Sequence, residues 1–322
     1  MTTAIVPLEQ APLAGLEVAI NRARDYARAS RAPRTLEEYR NDWQGFEAWC
    51  AAQGLESLPA HVETVAAYLS DLAERCKAST VARRSAAIDW RHKLAGFPPP
   101  SKSPAVAAVM DGMRRTKGTA QIRKAPAVAE DVRAMVNTLP DTLLGKRNRA
   151  LLLLGFAGAF RRSELVGLNV ADLEFCEDGV KVMLRKSKTD QQGAGMVKAI
   201  PFSAPAQAGY CPVRALRAWL EAAGITEGPI FRPTLRSGQV LPDALSGRAV
   251  ARLVKDTAAA AGLEPSKYSG HSLRAGLVTT AILAGKSDST IMRQTGHKKV
   301  ETLYRYRRDA NLFKDNAAGG LL

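Results

Sequence analysis

From residue 16 to about residue 116, hydrophobic positions recur at three- and four-residue steps, the spacing of amphipathic helices. One series consists of four aromatic residues, which we expect in a helical core: Tyr39, Trp43, Phe46 and Trp49. Thr35, with Glu38 three residues later, predicts a capping box at the start of this helix. The pattern predicts a second helix from residues 59–60, a third capped by Ser79 and Thr80, and a fourth over residues 104–115.

The pattern of the second half is mostly helical, with one interruption. Residues 149–168 read as an apolar helix, a turn of small residues and a second amphipathic start. Residues 180–184 and 197–201 then alternate like strands, and the polar connection between them carries Lys186 and Lys188. Helical spacing returns over residues 213–223, 247–261, 271–284 and 288–294. The predicted fold class is mainly α with a small antiparallel β-hairpin sheet.

These elements suggest two domains and two connecting segments. Residues 1–14 contain two prolines and no periodicity, so we expect a flexible N-terminal arm. Residues 15–116 form the helical N-terminal domain, and residues 117–127 are polar, basic and bounded by a proline, as a linker would be. Residues 128–322 form the second domain.

The net charge of the chain indicates the class of molecule that it binds. The 322 residues carry a formal charge of +15, with a pI near 9.9, and have no apolar run of roughly 20 residues. Nucleic acid is therefore the expected partner, and a solvated basic surface is the alternative. The predicted DNA contacts lie on the third helix and in the linker: Arg83, Arg84, Arg91, Lys93, Arg123 and Lys124. Two basic lobes joined by a basic linker are expected to close around a duplex as a clamp.

The same inventory argues against several other classes of protein. No basic leader precedes a hydrophobic core, so we expect no secretory signal. The four cysteines, Cys50, Cys76, Cys176 and Cys211, are too scattered to form a metal site and suit a reducing compartment. We therefore expect a cytoplasmic protein without a metal or other cofactor.

Candidate chemistry gathers near the C-terminus. His271 and Arg274 are three residues apart just inside a predicted helix start, where free N–H groups favour anions. Gly296 ends the next helix and presents His297, and Tyr306 follows nine residues later. With 46 Lys and Arg in the chain, a histidine with a basic residue three positions later is readily expected by chance. Only the order and spacing of the whole set point to phosphate chemistry with an oxygen nucleophile.

With these residues in that order, the sequence resembles the tyrosine recombinases, the phage-integrase family of DNA strand-exchange enzymes, and in particular its Cre-like members. The resemblance runs from about residue 35 to the C-terminus. The family's first arginine falls on Arg161, supported by Glu164, and its hairpin lysine falls on Lys188. Arg162 is the rival of Arg161, and Lys186 is the rival of Lys188. The remaining positions match His271, Arg274, His297 and the nucleophile Tyr306.

The resemblance implies a catalytic function and an assembly. Such enzymes cut and rejoin duplex DNA at sites with inverted repeats, through a 3′-phosphotyrosine and a Holliday junction, without ATP or metal. A bacterial or phage origin, association with the nucleoid and a homotetramer on two DNA sites are implied as well, with a monomer or dimer when free. A topoisomerase of type IB and a DNA-binding protein without catalysis are the alternatives.

The segment after Tyr306 carries apolar residues that need a surface to cover them: Leu312, Phe313, Leu321 and Leu322. The segment is too short to bury them within a fold of its own. By the family resemblance, the C-terminal tail of the second domain docks in trans on a neighbouring protomer. Packing on its own domain is the alternative.

Overall fold

The computed structural model describes residues 11–29, 31–118, 123–185, 195–235 and 237–310. The chain divides into two compact units, Met1–Gln121 and Ile122–Leu322, and this boundary falls inside the predicted linker. In the described part, no helix is both long enough and apolar enough to cross a membrane.

Among the described residues, the first unit contains five α-helices: α1 (Ala11–Ala29), α2 (Pro33–Ala52), α3 (Val62–Arg75), α4 (Ala78–Leu94) and α5 (Pro104–Lys117). The first of them begins inside the segment expected to be a flexible arm. The core of the first unit is aromatic, since Phe46 is fully buried and its ring lies 4.9 Å from that of Tyr68. Trp43 is buried and packs against Phe46, whereas Tyr39 and Trp49 are half-buried at the edge. The expectation that these aromatic residues form a core is therefore met most fully at Trp43 and Phe46.

The predicted helix caps of this unit were wrong. α2 begins at Pro33, two residues before Thr35, and no side chain caps it. Proline suits the first helical position because its φ is already helical and its missing N–H would have no partner there. α4 likewise begins at Ala78 without a side-chain cap, which places Ser79 and Thr80 inside its first turn. α3 begins at Val62 rather than at residues 59–60.

The second unit consists of eight described helices and one sheet. The helices are α6 (Ala129–Asn137), α7 (Leu143–Ala157), α8 (Arg162–Val166), α9 (Pro212–Ala222), α10 (Gly247–Ala260), α11 (Ser272–Leu283), α12 (Asp288–Thr295) and α13 (Glu301–Ala310). The apolar helix α7 lies in the core, where Leu151, Leu152 and Leu154 are fully buried beside Trp219 of α9. The predicted fold class, mainly α with a small antiparallel sheet, is confirmed.

The sheet has three strands rather than the two predicted. β1 (Leu173–Cys176), β2 (Gly179–Leu184) and β3 (Met196–Pro201) pair antiparallel in the order β1-β2-β3. On β3, Val197 and Ala199 face outward, while Lys198 and Ile200 point inward. A lysine therefore occupies a core-facing position of the sheet.

α11 and the segment just before it are held by residues 125–127. The Ala127 N–H donates to Ser272 O (2.9 Å), and the Ala125 N–H donates to Lys267 O (2.7 Å). Gly276 permits this approach, because a Cβ atom there would lie 1.7 Å from Ala127 O. The helix that carries Arg274 is thus held by backbone contacts at its N-terminal half.

Candidate active site

The guanidinium of Arg274 lies at the centre of the site. This side chain is only 1% exposed. Its Nη1 donates to Ala159 O (2.7 Å), and its Nη2 lies 3.3 Å from His297 Nε2. No carboxylate in the described part forms a salt bridge with it. Burial, followed by the nearby charge of Arg161, lowers the pKa of Arg274 to about 10, so the group remains a cation at neutral pH.

Arg161 is held at the start of α8 by one carboxylate. Glu164 is buried, and its Oε2 accepts from the Arg161 backbone N–H (2.8 Å) while its Oε1 accepts from Arg161 Nη1 (2.5 Å). The charge of Arg161 acts on Arg274, and it also lowers the pKa of His271 and His297. Arg161 therefore shares the site with these three residues.

Arg162, the rival for this position, is directed elsewhere. Its side chain is exposed, and its stem packs against Gly247 and Gly270, where an added Cβ would lie 3.0–3.1 Å from Arg162 atoms. The structure therefore favours Arg161 over Arg162 as the arginine of the site.

His297 follows the left-handed Gly296 (φ 72°) that ends α12. Thr295 Oγ1 donates to Ile291 O (2.7 Å), so this hydroxyl must accept from His297 Nδ1–H, 2.8 Å away. The second ring nitrogen, Nε2, is then left to accept from Arg274. Burial, followed by the charges of Arg274 and Arg161, lowers the pKa of His297 to about 4. His297 is consequently a neutral imidazole whose only proton points toward Thr295.

His271 is placed differently from His297. It occupies the N-cap position of α11 without a capping hydrogen bond from its side chain, and it is exposed at the surface of the site. Partial desolvation lowers the pKa of His271, and the charges of Arg274 and Arg161 lower it further. No side-chain hydrogen bond holds its ring in the described part, so the ring remains available to a substrate.

Tyr306 and Tyr304 lie on opposite sides of α13. Tyr306 is half-buried, and its ring lies 6.5 Å from that of His297. It packs on an apolar cluster formed by Val278, Ile282, Ile291 and Leu303. Tyr304 is 52% exposed. α13 is also joined to α12 by an ion pair between Arg307 and Asp288 (2.5 Å).

The structure adds a lysine to the site that the sequence interpretation did not identify, while the assignment of Lys188 stays a prediction. Lys186 and Lys188 both lie outside the described residues. Lys198 of β3, which the sequence interpretation missed, is buried in the site with its Nζ on Gly158 O (2.6 Å) and Gln294 O (2.8 Å). Burial, followed by the charge of Arg274, lowers the pKa of Lys198 to about 7. The signal that was present is a lysine at an inward-facing position of an alternating strand.

The predicted DNA contacts are placed as follows. Arg83 and Arg84 face the buried carboxylate of Asp42, at 2.6 and 3.6 Å, and Arg84 also donates to the Tyr68 hydroxyl (2.9 Å). These two arginines therefore contribute to the fold of the first unit, and their contact with DNA stays a prediction. Arg91 and Lys93 are exposed near the end of α4.

The two linker residues, Arg123 and Lys124, are exposed as well, and Lys124 Nζ donates to Ser266 O (2.6 Å). The roles of Arg91, Lys93, Arg123 and Lys124 in DNA binding also stay predictions.

Comparison with known proteins identifies the family. The model of the phage integrase family matches residues 128–312, more than half of the chain. The chain belongs to the phage integrase family. An integrase/recombinase xerD homolog of Selenomonas ruminantium is 45% identical over 292 residues, which cover 89% of this chain and 85% of the relative. The recombinase cre of Escherichia phage P1 is 26% identical over 287 residues, covering 83% and 81% of the two chains.

Solved structures agree on the fold. A lambda integrase dimer bound to a COC′ core site aligns with a TM-score of 0.60 and 18% identity, covering 90% of this chain and 94% of that one. A XerH recombinase bound to its difH substrate aligns with a TM-score of 0.55 and 13% identity, covering 80% and 71%. The protein is thus an enzyme of the tyrosine recombinase family with the two-domain fold of its relatives.

The hydrogen bonds of His297 generate a prediction. Nitrogen-15 spectra of the free protein should show His297 as the neutral Nδ1–H tautomer down to about pH 5, because its pKa is lowered to about 4. His297→Gln assigns the signal, and Thr295→Val should reduce the Nδ1–H population by removing the acceptor. A His297 ring that titrates near its ordinary value of 6.5, or that carries its proton on Nε2, would contradict this arrangement.

The lowered pKa of His297 also determines how the free energy of unfolding changes with pH. Between about pH 6.5 and 4, the unfolded chain binds a proton on His297 that the folded protein does not. The stability associated with neutral His297 is therefore complete above pH 6.5 and decreases as the pH falls toward 4.

Proposed function

We propose that this enzyme is a site-specific recombinase that cuts and rejoins duplex DNA through a 3′-phosphotyrosine on Tyr306, passes through a Holliday junction, and needs neither ATP nor metal. The observation that carries the proposal is the convergence of Arg161, Arg274, His271 and His297 beside Tyr306. A buried guanidinium without a carboxylate partner is suited to an anionic ligand. A scissile phosphate supplies that anion.

The two arginines stabilise the charge that develops during attack. When the Tyr306 oxygen attacks phosphorus in line, negative charge accumulates on the equatorial oxygens of the phosphate. Arg274 is fixed by Ala159 O, and Arg161 is fixed by Glu164, so both cations are oriented before the substrate arrives. Such preorganised charge in a site that excludes water is usually the largest contribution to catalysis.

The two histidines have different roles, one in orienting Arg274 and one in accepting a proton. His297 has a pKa of about 4 and already accepts from Arg274, so it is a poor proton acceptor and instead orients the guanidinium. His271 is also held neutral at neutral pH by its lowered pKa, but its ring is exposed. We assign His271 as the acceptor of the Tyr306 proton.

The leaving group needs a proton of its own. As the bond between Tyr306 and phosphorus forms, the bond from phosphorus to the 5′ oxygen breaks, and Lys188 donates a proton to that oxygen. The phosphotyrosine retains the energy of the phosphodiester, so the 5′ hydroxyl of another strand can reverse the reaction without ATP.

The nucleophile is tested by two matched variants. Tyr306→Phe should bind duplex DNA but form no covalent adduct with a nicked suicide substrate on a denaturing gel, because it lacks the attacking oxygen. Tyr304→Phe alters an exposed side chain on the other side of α13 and should still form the adduct. An adduct from Tyr306→Phe and none from Tyr304→Phe would move the assignment to Tyr304. The absence of an adduct from the unaltered protein would favour a DNA-binding protein without catalysis.

The general acid is tested by changing the leaving atom. Lys188→Ala should cleave ordinary DNA slowly, by a factor of about 10² to 10⁴, the usual contribution of general acid catalysis. A 5′-bridging phosphorothiolate should restore the rate, because sulfur leaves without a proton. Lys186→Ala serves as the control and should cleave ordinary DNA at a nearly unchanged rate. Rescue confined to Lys186→Ala would reverse the two roles.

Assembly into a homotetramer on two DNA sites is part of the same proposal. A related lambda integrase has been solved as a tetramer bound to a Holliday junction, and it aligns over 92% of this chain with a TM-score of 0.59. The proposed docking segment, residues 311–322, lies outside the described residues. It follows α13 directly, so docking on a neighbour would also influence the position of Tyr306.

Removal of residues 311–322 tests this link. The truncated protein should bind a single DNA site almost as well as the full chain, since the predicted DNA contacts lie elsewhere. It should form no synaptic complex of two sites and cleave much more slowly. Gel shift and mass photometry measure both states, and a full yield of synaptic complex from the truncated protein would show that the tail is not the connection.

A further inference from the structure

We propose that Lys198 and Gln294 are positioning residues, which together with Arg274 hold the turn that presents Arg161. This inference rests on the proposed function. Three side chains donate to three consecutive carbonyls of the turn at residues 157–159: Gln294 Nε2 to Ala157 O (2.8 Å), Lys198 Nζ to Gly158 O (2.6 Å) and Arg274 Nη1 to Ala159 O (2.7 Å). The donors come from α12, β3 and α11, three separate elements of the second unit.

The backbone conformation of this turn needs support from neighbouring groups. Ala159 has φ 45° and is fully buried, and among the described residues it is the one non-glycine with a positive φ. Such a conformation is unfavourable for a residue with a Cβ and persists when surrounding contacts determine it. Gly158 is required as well, because a Cβ there would lie 2.0 Å from the Phe160 ring. The three side-chain donors supply partners for the carbonyls and so stabilise this conformation.

Lys198 also connects the turn to the other side of the site. Its second hydrogen bond is to Gln294 O (2.8 Å), two residues before the left-handed Gly296 that leads to His297. One ammonium therefore joins the backbone before Arg161 to the backbone before His297. Displacement of Lys198 would move both residues relative to Arg274.

The chemistry of the amine fits a positioning role better than proton donation. Lys198 is 1% exposed, and its Nζ lies 4.9 Å from the centre of the Phe160 ring. Two N–H groups are enough for two carbonyls, so the hydrogen bonds persist whether or not the amine is charged. With burial holding the pKa of Lys198 near 7, neither charge state would leave these carbonyls without a donor.

The test compares Lys198→Met with Lys181→Met. Methionine keeps the length and volume of lysine but cannot donate, and Lys181 lies exposed on β2, paired with Glu174. Lys198→Met should reduce the single-turnover cleavage rate by about 100-fold, the effect of a displacement of about 1 Å at a reacting centre. Its affinity for DNA should stay within about threefold of the unaltered protein, since the phosphate contacts that dominate affinity are retained. Lys181→Met should cleave normally.

A 5′-bridging phosphorothiolate separates positioning from acid catalysis. Lys198→Met should remain slow on this substrate, because the defect lies in the placement of Arg161. Recovery of the rate would make Lys198 the general acid and overturn the positioning role. A normal rate of Lys198→Met on ordinary DNA would overturn it as well.

Two further measurements keep the inference testable if Lys198→Met folds poorly or if the unaltered protein fails to cleave. Gln294→Met removes only the donor to Ala157 O and should leave DNA affinity intact. It should slow cleavage about tenfold, because the turn is displaced less than in Lys198→Met. In the free protein, hydrogen exchange at the Ala159 and Phe160 amides, which donate to Phe156 O and Gly155 O, should accelerate in Gln294→Met and not in Lys181→Met. Unchanged exchange there would refute the proposed stabilisation of the turn independently of any DNA reaction.

Discussion

The structure of the catalytic unit depends on the burial of the Arg274 guanidinium. A buried cation is costly unless its donors find partners, and two N–H groups of Arg274 face a backbone carbonyl and an imidazole, with no salt bridge to a carboxylate among the described residues. These two contacts require the turn at Ala159, the start of α11 and the loop after α12 to meet at the guanidinium. In the part of the chain that the structure describes, no salt bridge to a carboxylate neutralises this charge, so the site is suited to an anion.

The other ionisable groups respond to that charge. Arg274 is the second-largest cause, after burial, of the lowered pKa values of Lys198, His271 and His297. Both imidazoles are thereby kept neutral, which leaves one of them free to accept a proton. Glu164 balances Arg161 and fixes it, but it does not reach Arg274 with a salt bridge. The result is a site with oriented cations and neutral bases, which is the combination that attack on a phosphodiester requires.

Much of this site could be predicted from the sequence, because the residue types and their order are restrictive. The positions of Arg161, His271, Arg274, His297 and Tyr306 follow from spacing and family resemblance. The sequence favoured Arg161 but kept Arg162 as its rival, since the distinction depends on how the turn directs two adjacent side chains. Lys198 was missed because the family resemblance places its lysine in the connection between the strands, whereas β3 itself carries a buried lysine.

The remaining misses have local physical causes. The caps predicted at Thr35 and at Ser79 and Thr80 failed because residues upstream, including Pro33, already adopt helical geometry. The short strand β1 has no clear alternation of burial, so its pairing with β2 becomes apparent only from the tertiary structure. The helices themselves could be predicted, because amphipathic spacing extends over many residues. Their boundaries could not, because each depends on one or two residues.

If this cluster of cations serves one nucleophile, the covalent bond to DNA lies on Tyr306. Mass spectrometry of the covalent protein–DNA complex tests it most directly. Trypsin cleaves after Lys299, Arg305 and Arg307, so Tyr304 and Tyr306 fall on different peptides. After nuclease digestion, our expectation is a 3′-phosphonucleotide on the peptide that contains Tyr306 and none on the peptide that contains Tyr304. A nucleotide on Tyr304, or on any residue outside α13, would contradict it.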